Sequence, residues 1–159
     1  MKRIIKWLEK NWWEFLIGTL LAGVLIEFVN ANIYQIWVYK FPWDLYVIPF
    51  VNTSLVTLTL GWFLLALGAF VLMFVYEELR PDQNIEHAWV IGWIAMGFLY
   101  EIFNSKIWQT WVYPQSTVFG KHLIPFLDFS IFVPIVGYAG VGLISFWIIK
   151  YVMKYAKKK

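Results

Sequence analysis

Apolar residues fill four long runs of this chain, and polar residues gather between them. The runs cover about residues 12–30, 52–76, 88–104 and 129–151, each close to the ~20 residues a membrane-spanning helix needs. The third run is the shortest and can start near Ile85. Two stretches, about residues 31–51 and 105–127, join the first run to the second and the third to the fourth; both are too long for tight turns and too aromatic for free loops. Tyr34, Trp37, Tyr39, Trp43 and Tyr46 fill the first, and Trp108, Trp111, Tyr113 and Phe119 fill the second. Pro42, Pro49, Pro114 and Pro125 interrupt them. The pattern predicts, in each, a short interfacial helix followed by a turn that lies on or dips into the bilayer. Backbone that irregular survives at depth only where protein buries it or water reaches it. The polar stretch from Glu77 to His87, with Arg80 and Pro81, separates the two halves.

Those halves repeat each other. Gly23, Leu25, Glu27, Asn30, Ile33, Gln35, Trp37, Val38 and Tyr39 recur as Gly97, Leu99, Glu101, Asn104, Ile107, Gln109, Trp111, Val112 and Tyr113, at a constant spacing of 74 without a gap. Gly18 and Gly92 fit the same spacing. After a two-residue insertion, Ile48-Pro49-Phe50 matches Ile124-Pro125-Phe126, Asn52 matches Asp128, and Gly61 matches Gly137. Self-similarity at a fixed spacing marks a duplicated structural unit. The expected fold is an all-α integral membrane domain over residues 1–159. It has four transmembrane helices in two parallel helix–interfacial loop–helix repeats, about residues 11–78 and 86–155.

Composition agrees. The chain is 61% hydrophobic and 14% charged, against about 45–50% and about 25% in soluble domains, and its mean hydropathy is +0.64. The net charge of +3 is concentrated at the ends: Lys2, Arg3, Lys6 and Lys10 precede the first run, and Lys150, Lys154, Lys157, Lys158 and Lys159 follow the last. Such flanking bases set orientation, which places both termini on the cytoplasmic side of the cell membrane and makes lipid, not nucleic acid, the surrounding partner. The basic start followed by an apolar run superficially resembles a signal peptide, but the run continues through Gly23-Val24-Leu25-Ile26 with no small-x-small site and belongs to the repeat, so cleavage is not expected. The absence of cysteine excludes disulfides and thiolate metal sites, and His87 and His122 stand alone, so no metal and no cofactor is expected.

The candidate chemistry lies on the repeated polar residues. Gly23, Glu27 and Asn30 are spaced to share one helix face, as are Gly97, Glu101 and Asn104. A carboxyl inside a membrane is costly and marks a functional site by default. The alternative is interhelical glue, with each acid bonded to tryptophan N–H groups or to its neighbouring asparagine. Asp128 and Asn52 precede helices and could cap them.

Trp37-Val38-Tyr39 leads to Pro49-Phe50-Val51-Asn52, and Trp111-Val112-Tyr113 leads to Pro125-Phe126-Leu127-Asp128. This outline resembles the small-subunit membrane lycopene cyclases and related carotenoid-modifying membrane proteins, in which a W-x-Y element precedes a proline-led motif, P-x-E-(E/D). Here the first acid of that motif is Val51 or Leu127, and the second is kept only as Asp128. The resemblance implies a hydrophobic isoprenoid or carotenoid ligand and acid–base chemistry. Glu27, Glu101 and Asp128 would then be the catalytic carboxyls, and Asn30, Asn104, Asn52, Trp37, Tyr39, Trp111 and Tyr113 would line the site. Polyene cyclisation begins when a protonated carboxyl delivers its proton to a double bond; aromatic ring faces then stabilise the cation. The rival reading is a lipid- or pigment-binding module, or a small subunit of a larger membrane complex or homo-oligomer. Transport suits the pattern less, because four helices are few and the acids lie near one end of their runs.

Overall fold

The computed structural model describes residues 2–40, 47–48, 50–51 and 53–156. The expectations for Pro42, Trp43, Tyr46, Pro49 and Asn52 lie outside them. Four helices form: α1 (Lys2–Val29), α2 (Trp62–Leu79), α3 (Ile85–Phe103) and α4 (Ala139–Ala156). Each carries a wider π-helical turn at the same end of the bundle. In α1 and α3 it follows the helix (Asn30–Tyr34, Asn104–Trp108), and in α2 and α4 it precedes it (Thr57–Gly61, Val133–Tyr138). α1 kinks at Asn11. Asn84 caps α3 by accepting the Glu86 backbone N–H at 3.0 Å, which fixes where the chain re-enters a helix after Pro81.

α2 packs chiefly against α3, α1 against α4, and α3 also against α4. The centre is aromatic: Phe15, Phe70, Trp62, Trp89 and Trp93 are buried together. Trp89 Nε1 donates to Gly142 O at 3.0 Å and Ser145 Oγ at 3.1 Å, so the indole pays no penalty for burial. Large apolar side chains such as Leu21, Leu25, Leu64, Val71, Val75 and Ile144 face outward. Among the described residues, three helical stretches, Glu9–Tyr34, Thr57–Leu79 and Val133–Tyr155, are long and apolar enough to cross a membrane. α3 is not among them: its 19 residues include Glu86, His87 and Glu101.

The connections differ from the expected interfacial helices. After its π-turn each chain segment reverses at a left-handed glutamine, Gln35 (φ 46°) or Gln109 (φ 47°), whose N–H donates to Asn30 O or Asn104 O at 2.7 Å. It then enters a two-residue strand. β1 (Val38–Tyr39) pairs antiparallel with β4 (Trp111–Val112), Val38 opposite Val112 and Tyr39 opposite Trp111. Backbone hydrogen bonding between the two segments replaces helix formation as the way to satisfy their polar groups. β2 (Val47–Ile48) and β3 (Thr53–Ser54) form a second small pair. Asp128 does not cap α4: it is exposed, and the N–H of Phe132 is bonded instead by Ser130 Oγ at 3.3 Å.

Candidate functional site: two buried carboxyls beside an aromatic cavity

Glu27 and Glu101 are fully buried, 1% and 0% exposed. Each stands one turn above a glycine on which an aromatic side chain rests. A Cβ on Gly23 would lie 2.8 Å from Trp62 Cγ, and one on Gly97 would lie 2.5 Å from Tyr138 Cγ. Glycine is required at both places for the ring to come that close. The same ring then bonds the acid. Trp62 Nε1 donates to Glu27 Oε1 at 3.1 Å, and Tyr138 OH donates to Glu101 Oε1 at 3.0 Å. A second donor comes from the W-x-Y tyrosine: Tyr39 OH to Glu27 Oε1 and Tyr113 OH to Glu101 Oε1, both at 2.5 Å. In each acid Oε2 is buried without a hydrogen-bond partner.

The asparagines shape the turn that delivers those tyrosines. Asn30 Nδ2 donates to Trp37 O at 3.1 Å, and Asn30 Oδ1 accepts the Trp37 N–H at 3.2 Å. Asn104 Nδ2 donates to Trp111 O at 3.0 Å, while its Oδ1 accepts the N–H groups of Thr110 and Trp111 at 2.9 and 3.3 Å. A side-chain amide thus stands in for a missing strand partner. Burial pushes the Tyr39 and Tyr113 phenols well above the ordinary tyrosine range, and the adjacent carboxylates push them further. Both therefore stay protonated and act as donors.

A partly open cavity of about 370 Å³ adjoins this network. Glu27 and Asn30 line it, with Trp37, Tyr39, Trp62, Tyr100, Trp111, Tyr113 and Tyr138. Glu101, Asn104 and Asp128 do not. Residues of both halves thus line one cavity, and among the described residues only Glu27 reaches it with a carboxyl; Glu101 stands behind Tyr113 and Tyr138. Trp62, Tyr100 and Tyr138 are the members that motif reasoning missed. A signal existed for two of them: Gly61-Trp62 and Gly137-Tyr138 share the 76-residue spacing of the I-P-F element, and both put an aromatic donor after glycine.

Comparison with protein-family models, curated proteins and solved structures found no match.

Proposed function

We propose that the chain is a multi-pass membrane protein whose cavity binds an elongated apolar ligand of the isoprenoid or carotenoid type. In this reading all four helices span the cell membrane as two parallel repeats, with both termini cytoplasmic. α3 packs against both α2 and α4, so it crosses wherever they do. One observation carries the ligand proposal: a buried carboxyl with an unpartnered oxygen belongs to the lining of an otherwise aromatic and aliphatic cavity. Pockets of this size and character suit small apolar ligands with one or two polar groups for orientation. The volume accepts one end of a long polyene rather than the whole molecule.

The same arrangement supports acid–base chemistry. Glu27 Oε2–H would give its proton to a double bond; the alkene electron pair forms the new C–H bond and leaves a carbocation on the neighbouring carbon. The rings of Trp37, Trp62 and Trp111 face that charge. Attack by a second double bond closes a ring, and loss of a proton from the adjacent carbon to the Glu27 carboxylate restores the acid. The net change is an isomerisation that consumes no cofactor. Glu101 acts through Tyr113 and Tyr138 as a positioning residue.

The test is mass spectrometry of lipids and pigments that co-purify in mild detergent with wild type, Glu27→Gln and Glu101→Gln. A discrete isoprenoid whose amount or isomer depends on Glu27 is expected. Bulk phospholipid alone, the same in all three, overturns the proposal. A second reading rests on Glu101, which makes the same kind of bonds as Glu27 away from the cavity. There the network serves architecture, and the chain is a non-enzymatic binding module or a small subunit of a membrane complex. Retention of a ligand that is never converted favours it.

A further inference from the structure

A second crevice, of about 530 Å³, opens at the other end of the bundle, between α2, α3 and α4 beside the α2–α3 linker. Its floor is apolar and buried, built from Phe15, Phe70, Met73 and Trp89. Its charged lining residues are of both signs: Glu77 and Glu86 from α2 and α3, Lys150 and Lys154 from α4. Helix-end effects account for part of this, since acids suit the first turn of α3 and bases the last turns of α4. They do not explain why all four charges meet one aromatic crevice without an ion pair forming among them. Lys150 Nζ is instead held 4.6 Å from the Trp147 ring centroid and 5.5 Å from that of Phe146, which fixes a cation at the rim.

We infer that this crevice is a binding site for one bilayer phospholipid with a zwitterionic headgroup. An acyl chain lies on the Phe15–Phe70–Trp89 floor, the phosphate meets Lys150 and Lys154, and the headgroup ammonium meets Glu77 and Glu86. A ligand carrying a cation and an anion a few bonds apart on an apolar tail complements all three features. An anionic lipid such as phosphatidylglycerol has no ammonium, so it would leave the two acids without a cation.

Native mass spectrometry of the full chain in micelles containing equal phosphatidylethanolamine and phosphatidylglycerol tests this. Wild type should retain one phosphatidylethanolamine, severalfold in preference to phosphatidylglycerol. Glu77→Gln with Glu86→Gln should keep lipid retention but abolish the preference. Lys150→Gln with Lys154→Gln should retain neither. Equal retention of both lipids by wild type, or an undiminished preference in the acid variant, overturns the inference. Should the variants fail to fold, wild type can be photocrosslinked with phosphatidylethanolamine carrying a diazirine in its acyl chain. Labelling of Phe70 and Met73 is expected, whereas labelling confined to outward residues such as Val71 and Val75 overturns it.

Discussion

The Glu27 and Glu101 sites are built from the same parts and differ in what lies behind them. Each acid sits above a ring-bearing glycine, takes one bond from that ring and one from a W-x-Y tyrosine, and is flanked by an asparagine that holds the turn. Glu27 borders the cavity, whereas Glu101 is enclosed by two tyrosines. Chemically equal carboxyls thus become unequal by access alone. An enclosed acid can hold helices together, while an acid on a cavity wall can also meet a ligand. The lesson is that local geometry, including hydrogen bonds, does not separate a structural carboxyl from a reactive one; the space beside it does.

This contrast can be broken in graded ways. The largest effect is expected from Glu101→Ala, which removes a fully buried side chain and strands two phenol O–H groups, at a cost of roughly 2–5 kcal/mol. Glu27→Ala should cost about half as much, since Glu27 itself lines the cavity and the space it leaves joins that cavity, whereas the space left by Glu101 is enclosed. Thermal unfolding in detergent measures both, and equal losses would remove the distinction. Next come the glycines. Gly97→Ala and Gly23→Ala should each cost about 1–3 kcal/mol by forcing the ring away, with Gly97 the worse because its contact is tighter. Loss of ligand from Gly23→Ala but not from Gly97→Ala would sharpen the assignment of function to the first site. Asn104→Ala removes three hydrogen bonds and Asn30→Ala two, so the former should be less stable by about 1 kcal/mol.

The smallest effect is on alkaline stability. Tyr39 and Tyr113 have folded pKa values raised above the ordinary value of about 10, so the stability they contribute is complete below that pH and falls above it, as the unfolded chain ionises first. Tyrosinate absorbance should show the Tyr39 and Tyr113 phenols titrating only with unfolding in wild type. If both titrate with the exposed tyrosines, the tyrosine–carboxyl pairs are not closed to solvent.

Much of this was legible in the sequence. The four helices follow from apolar length, and the repeat groups Glu27 with Trp37-Val38-Tyr39 and Glu101 with Trp111-Val112-Tyr113; that the tyrosines bond the acids, while the asparagines bond backbone groups of the turn, was not legible. The strand pair was not legible. Two residues carry no periodic signal, and aromatic residues broken by prolines read equally well as an interfacial helix. Nor could sequence tell that Asp128 does not cap a helix; it falls short because its helix starts later, after Ser130 has bonded the Phe132 N–H. The inequality of Glu27 and Glu101 was invisible for a deeper reason: cavity access depends on how four helices lean together, and the two acids share the same sequence surroundings of glycine, asparagine and W-x-Y.

The facing of Val38 and Val112 has a consequence for assembly. These residues occupy the same position in the two halves, so the strand pair is its own mirror under exchange of the halves. A half-length chain should therefore be able to form the same clasp with a second copy of itself. By the same logic, two fragments divided within the Arg80–Asn84 linker should reassemble when co-expressed, because the clasp joins the halves at the end of the bundle remote from the cut.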